Sequence, residues 1–380
     1  MSARHEERLA RVALSRLAEP GDPKITGLVS RMGAVSLHQH LLEERELDGA
    51  LSDVATRLEG LDPQRDLDWA ERRRIRFVVP GDEEWPRQLD DLARTEDWQG
   101  CGGAPLGLWV RGPVRLDEIE HSVAIVGSRE PTTYGTDVAA DLAAHVAEQG
   151  VPVVSGAAFG IDYAAHRGAL VGEGLTVAVL ACGVDRVYPQ AHAALLGHIA
   201  EHGAIVSELP PGAAPMRMRF LSRNRIIAAL ARGTVVVEAA ARSGALSTAR
   251  WSDRLSRRLM AVPGPVTSAP SEGTHHLIRS GAAALVTRGE EVMEQVAEAG
   301  QHAVADPRGK VRSRDRLPAA DAQVLEAVPV AQPAQADSIS RTAGINLVGV
   351  QGALLRLSRD GFVVQTPRGG WVLGPAGLRD

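Results

Sequence analysis

Seven short apolar runs, each separated from the next by a helix-length amphipathic segment, do most to restrict what this chain can fold into. They are SVAIVG (122–127), VPVVS (151–155), LTVAVL (175–180), AIVSE (204–208), TVVVE (234–238), LMAVPG (259–264) and AALV (283–286). Strands that are apolar throughout need cover on both faces, and strand–helix alternation is the connection that lets neighbouring strands run parallel. The pattern predicts an α/β fold, a Rossmann-like, doubly wound, mostly parallel sheet at about 115–297. In such sheets ligands lie beyond the carboxyl ends of the strands, near the point where strand order reverses.

The flanks follow other rules. Residues 4–58 show helical spacing through Leu9, Val12, Leu14 and Leu17, then Ile25, Leu28 and Val29, then Leu37 and Leu41. Around the turn Pro20-Gly21-Asp22-Pro23 they read either as a helix-hairpin element or as a packing or partner-binding helical cap. Strands at 74–79 and in LGLWV (106–110) lead into the main sheet, with Trp85, Trp98 and Trp109 as packing anchors. Past the sheet, 300–316 is polar and basic through Arg308, Lys310, Arg312, Arg314 and Arg316, as a linker would be. Three helical segments and a hairpin turning at 367–370 then make a winged-helix pattern. The expected division is a helical (helix-hairpin/SAM-like) module over 1–70, an extended Rossmann-like domain over 71–299, the basic linker over 300–316 and a winged-helix domain over 317–380. The last carries five acidic and five basic residues, a balance that favours a protein partner over a duplex.

Composition narrows the function classes. A net charge of −5 over 380 residues does not announce a polyanionic partner, so any such claim must come from local clusters. Of 42 basic residues only Lys24 and Lys310 are lysine, which discounts any single arginine cluster. Cys101 and Cys182 are the only cysteines and lie far apart, so neither a disulfide framework nor a zinc site is expected. The first residues lack an apolar signal core, and no run approaches the roughly 20 apolar residues that cross a bilayer. A cytoplasmic protein without membrane contact is the expectation.

Chemistry gathers at the strand ends. Gly127-Ser128-Arg129 follows the first run, and Ser155-Gly156-Ala157-Ala158-Phe159-Gly160-Ile161-Asp162 follows the second. Each leads into a helix, where free backbone N–H groups would receive an anion. No acidic residue stands between Glu208 and Glu238, whereas Arg217, Arg219, Arg223, Arg225 and Arg232 fall in that interval around Phe220. Guanidinium groups match phosphate oxygens and a ring accepts any base face, although such charges also occur as plain solvated helix surface. Ser155 and Ser243 read as helix caps or phosphate contacts, and Glu238 as an anchor for neighbouring backbone amides. There is no GxGxxG, no ribose-binding carboxylate after the second strand and no Walker loop, so no nucleotide cofactor is expected. Nor is there a GxSxG elbow.

Taken together, VGSRxxxxYG (126–135), SGxAxGID (155–162), CGVDxxYP (182–189), FxxRNR (220–225), VVEAxxxSGALxTA (236–249), AVPG (261–264) and GTHHLIxxGA (273–282) resemble the DNA-processing protein A (DprA/Smf) family. The resemblance is tight over about 122–287 and one of architecture outside it. Leu221 stands where many relatives have proline, and His275 where some have asparagine. The resemblance implies a Rossmann-like, homodimeric, single-stranded DNA-binding protein that protects incoming strands in natural transformation and loads the RecA recombinase, with no established catalytic activity. Carried over, Gly127, Ser128, Arg129, Ser155, Gly156, Gly160, Arg223, Asn224 and Arg225 form the strand pocket, joined by Phe220, Ser243 and Gly244. Two other readings stay open. One is a phosphoribohydrolase-like enzyme using Glu238, against which the missing PGGxGTxxE loop speaks. The other is a sequence-specific regulator acting through Arg356 and Arg359.

Overall fold

The computed structural model describes residues 2–43, 60–298, 301–302 and 311–379. Arg308 and Lys310 of the expected linker lie outside the described residues, as does 44–58 of the helical run. The chain forms two compact units, Met1–Val304 and Ala305–Asp380.

In the first unit, α1 (Ala3–Leu17), α2 (Pro23–Met32) and α3 (Ala34–Glu43) close around Leu14, Ile25, Leu37 and Leu41. The Pro20–Pro23 turn starts α2: the Asp22 side chain accepts from the Lys24 amide, and Pro23 takes a first-turn position where its missing N–H costs nothing. Asp62 and Pro63 repeat the device at α4 (Pro63–Glu71).

The sheet elements follow in order: β1 (Ile75–Val78), β2 (Leu108–Arg111), β3 (Val123–Val126), α5 (Thr133–Glu148), β4 (Val153–Ser155), α6 (Ile161–Val171), β5 (Thr176–Val179), α7 (Ala193–His202) and β6 (Ala204–Ser207). They continue with α8 (Arg217–Leu230), β7 (Gly233–Val236), α9 (Ala245–Arg254), β8 (Arg258–Ala261), α10 (Glu272–Arg279), β9 (Ala284–Leu285) and α11 (Gly289–Val296). The strand order is β1-β2-β6-β5-β4-β3-β7-β8-β9. From β6 to β9 every pairing is parallel, and β2 joins antiparallel to β6 with β1 antiparallel beyond it. The fold is thus Rossmann-like α/β, with the order reversing between β3 and β7.

Alternation along each strand explains the two-sided cover. Val123 and Ile125 of β3 pack on Leu142 and Val146 of α5 and Ile161 of α6. Ala124 and Val126 face the other way, into a core with Ile226 and Leu230 of α8 and Trp251 of α9. Both faces being buried, a continuously apolar strand is the stable solution. Trp85 and Trp109 are also buried, while Trp98 is partly exposed and meets Trp251 edge-on.

In the second unit, Ser313–Arg316, inside the expected linker, is a turn of 3₁₀ helix in which the Arg312 amide donates to Asp315 at 2.8 Å. After it come α12 (Ala319–Glu326), α13 (Ala336–Ala343), α14 (Leu347–Arg359), the antiparallel pair β10 (Val363–Gln365) and β11 (Trp371–Leu373), and α15 (Pro375–Arg379). Val324, Ile339, Leu354, Phe362 and Trp371 make its core. Gly344, at φ 68°, ends α13 in the left-handed conformation that glycine adopts without strain.

Candidate functional site

The loops after β3 and β7 meet where strand order reverses, and Glu238 ties them together. Its carbonyl accepts the Ser128 amide at 2.7 Å, and its buried carboxylate accepts the Thr132 amide at 2.9 Å and the Thr132 hydroxyl at 2.6 Å. That hydroxyl in turn caps the Gly135 amide of α5 at 3.1 Å. Gly127 lies against this knot: an added Cβ would come within 2.9 Å of the Glu238 carbonyl and 2.6 Å of Ile161. Glu238 therefore anchors backbone amides.

The helix N-termini differ from the expectation of open anion sites. At α5 the carboxylate of Glu238 occupies that place. At α6 the Ile161 amide donates to Ser128 O at 3.1 Å, and the Ala158 amide to Asp162 at 3.4 Å. The amides held by these bonds are satisfied within the loops, because a buried unpaired N–H is costly. Gly160, at φ 80°, sits where a Cβ would strike Ser128 O and Pro131, so its role is to bring α6 against the β3 loop. The Asp162 carboxyl is pushed upward by burial, against the opposing pull of Arg223.

Helix α8 carries the arginines, and they part company. Arg223 reaches the floor of the cleft, donating to Val179 O at 3.3 Å and lying 3.9 Å from Asp162. Burial brings its pKa down to about 10, with Asp162 working the other way. Gly156 lies beneath it, where a Cβ would collide with the guanidinium. Arg225 leaves the helix elsewhere. It is fully buried and grips Glu208 through two hydrogen bonds of 2.7 Å each. Burial opposes its charge, and Glu208 outweighs that, leaving the guanidinium above its ordinary value.

The cleft, about 790 Å³, opens between the β3 loop, the first turns of α8 and the loop before α9. At its mouth the Arg129 guanidinium lies 4.7 Å from the Phe220 ring centroid, and Tyr188 meets the same ring at 5.7 Å. Arg217 and Arg242 are exposed on its walls. Asn224 donates to Gly244 O at 3.2 Å, binding α8 to the loop after β7, and the Ser243 hydroxyl accepts the Ala245 amide at 3.3 Å in the turn that leads into α9.

Of the residues expected from the sequence, Gly127, Ser128, Arg129, Phe220, Arg223, Asn224, Ser243 and Gly244 all line this one cleft. Two are corrections. Arg225 is spent on Glu208, and Ser155 is wholly buried, its hydroxyl donating to Ile125 O at 2.7 Å inside the sheet. Gly156 and Gly160 act on the cleft through Arg223 and Ser128. Arg242 and Tyr188 also line the cleft and were not singled out as site residues from the sequence. Arg242 sits between two quoted fragments of the VVEA motif, and Tyr188 in CGVDxxYP, so each was within reach of the motif reading.

Fold and cleft together define a Rossmann-like α/β protein with a cationic, aromatic-bearing crevice at its switch point. The model of the DNA recombination-mediator protein A family matches residues 76–297. The chain is 45% identical over 368 residues to a Mycobacterium tuberculosis protein named for DNA processing protein DprA, covering 92% of this chain and 90% of that one. The solved structure of DNA processing protein A from Streptococcus pneumoniae is similar with a TM-score of 0.60 and 29% identity, over 76% of this chain and 97% of that one. The Helicobacter pylori protein, described with a unique single-stranded DNA binding mode, follows at a TM-score of 0.50 and 28% identity, over 58% and 94%. The chain belongs to the DNA recombination-mediator protein A family, the DprA/Smf proteins its motifs resemble.

Proposed function

We propose that this protein binds single-stranded DNA in the switch-point cleft, as a non-catalytic carrier in DNA uptake and recombination. The observation that carries the reading is the Arg129–Phe220 stack at the cleft mouth, with Arg217 and Arg242 on the walls. Guanidinium groups there would meet phosphates while the ring receives an unpaired base, a combination tolerant of sequence. The single-stranded DNA binding of the H. pylori relative supports it. Gly127, Ser128, Asn224, Ser243 and Gly244 shape the walls, and Arg223 supplies the positive floor.

A non-enzymatic role is supported by Glu238, the acid a hydrolase reading would use, whose two carboxylate oxygens are both engaged by Thr132. Loading of RecA, homodimer formation and a cytoplasmic setting are parts of the same proposal and rest on family membership. Among the described residues no helix is long and apolar enough to cross a membrane. The winged-helix assignment of 317–380 is likewise proposed, supported by its three helices followed by a hairpin.

The test is a titration of labelled oligothymidylate with full-length protein at increasing salt. Binding that weakens linearly in log–log form is expected. No shift of any oligonucleotide at low salt would remove the proposal.

A further inference from the structure

The chain has only six tryptophans, three tyrosines and four phenylalanines. Of these, Tyr134, Phe159 and Tyr188 alone are exposed, at 42%, 49% and 41%. All three stand on the carboxyl side of the parallel strands: Tyr134 beyond β3, Phe159 beyond β4 and Tyr188 beyond β5, three neighbours in the sheet. Adjacent strands lie about 4.8 Å apart, so loops over three of them span about 10 Å, a reach of one to two nucleotides. Tyr134 is tied down, its hydroxyl donating to Pro263 O at 2.7 Å. The Phe159 ring is supported edge-on by buried His192, with centroids 4.8 Å apart, and Tyr188 leans on Phe220.

A shallow recess joins Phe159 to the cleft. Phe159, Leu180, Cys182 and Pro189 line it, and it shares Arg129, Tyr188 and Phe220 with the larger opening. The Arg129–Phe220 stack is thus a divide with space on both sides. With about 30 Å³ inside, the recess is too small to swallow a base, so a base there would lie on the rings at its rim.

Resting on the function proposed above, we propose that the bound strand continues past the Arg129–Phe220 stack toward β4 and β5, where Phe159 and Tyr188 form a second stacking platform for an unpaired base. Among the described residues that line the recess, Arg129 is the only cation. The platform therefore lengthens the footprint without adding a phosphate contact.

Full-length wild type, Phe159→Ala and Phe159→Trp are titrated with oligothymidylates of about 4 and about 12 nucleotides, within the span of single-strand site sizes. Phe159→Ala should weaken binding of the longer strand roughly tenfold, the usual worth of one base–ring stack, and leave the shorter one unchanged. The salt slope should stay the same, since no phosphate contact is lost. Phe159→Trp should restore affinity for the longer strand. If wild type binds, Arg129→Ala weakens it and Phe159→Ala changes neither length or both equally, this platform is refuted while the cleft stands. A wild type that binds neither strand overturns both.

Discussion

Arg223 and Arg225, two residues apart on α8, serve opposite ends: Arg223 floors the cleft above Gly156, and Arg225 is sealed against Glu208 with no solvent exposure. Two residues along a helix turn a side chain by about 200°, so neighbours in an RNR motif cannot share a surface. The motif therefore joins one residue of the cleft floor to one of the scaffold.

The two roles separate under mutation. Arg129→Ala should leave the protein folded, weaken single-stranded DNA binding and lower the salt slope by about one, because one guanidinium–phosphate contact is lost. Arg225→Ala strands the part-buried Glu208 carboxylate and should destabilise the fold by up to about 3–5 kcal/mol. Paired urea unfolding and DNA titrations distinguish the outcomes: a folded Arg225→Ala protein of wild-type stability would contradict the assignment.

Gly156→Ala places a methyl group on the Arg223 guanidinium. Overpacking of this kind costs about 1–3 kcal/mol, and moving the guanidinium aside gives up its contacts with Val179 O and Asp162. Removing the guanidinium should relieve the clash. The double variant Gly156→Ala/Arg223→Ala should accordingly be no less stable than Arg223→Ala alone, a coupling that a double-mutant cycle reads directly. Additive losses would mean the two residues do not touch.

Acid sensitivity should trace partly to His166. Its ring is fully buried, Nδ1 lies 2.7 Å from the Thr176 hydroxyl, and burial depresses its pKa to about 3, with His192 and Arg223 adding to the effect. In the unfolded chain the ring titrates near 6.5, so below about that pH the unfolded state takes up a proton that the native state refuses. Stability is then lost as pH falls from about 6.5 toward 3, by up to about 1.4 kcal/mol per pH unit from this group. His166→Gln should flatten that part of the pH dependence of urea unfolding; an identical profile would place the sensitivity elsewhere.

The parallel sheet was legible because strands covered on both faces have to be apolar throughout, and that leaves an unambiguous mark at 122–127 or 234–238. The positions of Gly127, Arg129 and Phe220 on the cleft followed from the rule that loops at the carboxyl ends converge. The fate of Arg225 did not, because its partner Glu208 ends a different strand, and pairing between an α8 side chain and the end of β6 leaves no periodic trace. The same holds for Asp162, which accepts the Ala158 amide of its own loop. A carboxylate folded back on its own loop looks, in one dimension, like an open helix N-terminus waiting for an anion.

The second unit offers a last test, because its would-be recognition helix α14 uses one of its two arginines internally. Arg356 holds Asp321 through hydrogen bonds of 2.9 and 2.6 Å, and Asp321 is almost wholly buried. The hydrogen bond from Arg356 holds the Asp321 carboxyl below the usual carboxylate range. A depressed folded value means the stabilisation is fully present above the ordinary aspartate pKa of about 4 and disappears as pH falls through the lowered one. Arg356→Ala leaves a buried carboxylate unpaired, so hydrogen exchange in α14 should accelerate at pH 7. The difference from wild type should shrink below about pH 4, where the variant's carboxyl protonates. Because the guanidinium is already committed to Asp321, binding to duplex DNA and its salt slope should not change. A drop in that slope would instead return Arg356 to the role of a DNA contact and revive the reading of this unit as a sequence-specific reader.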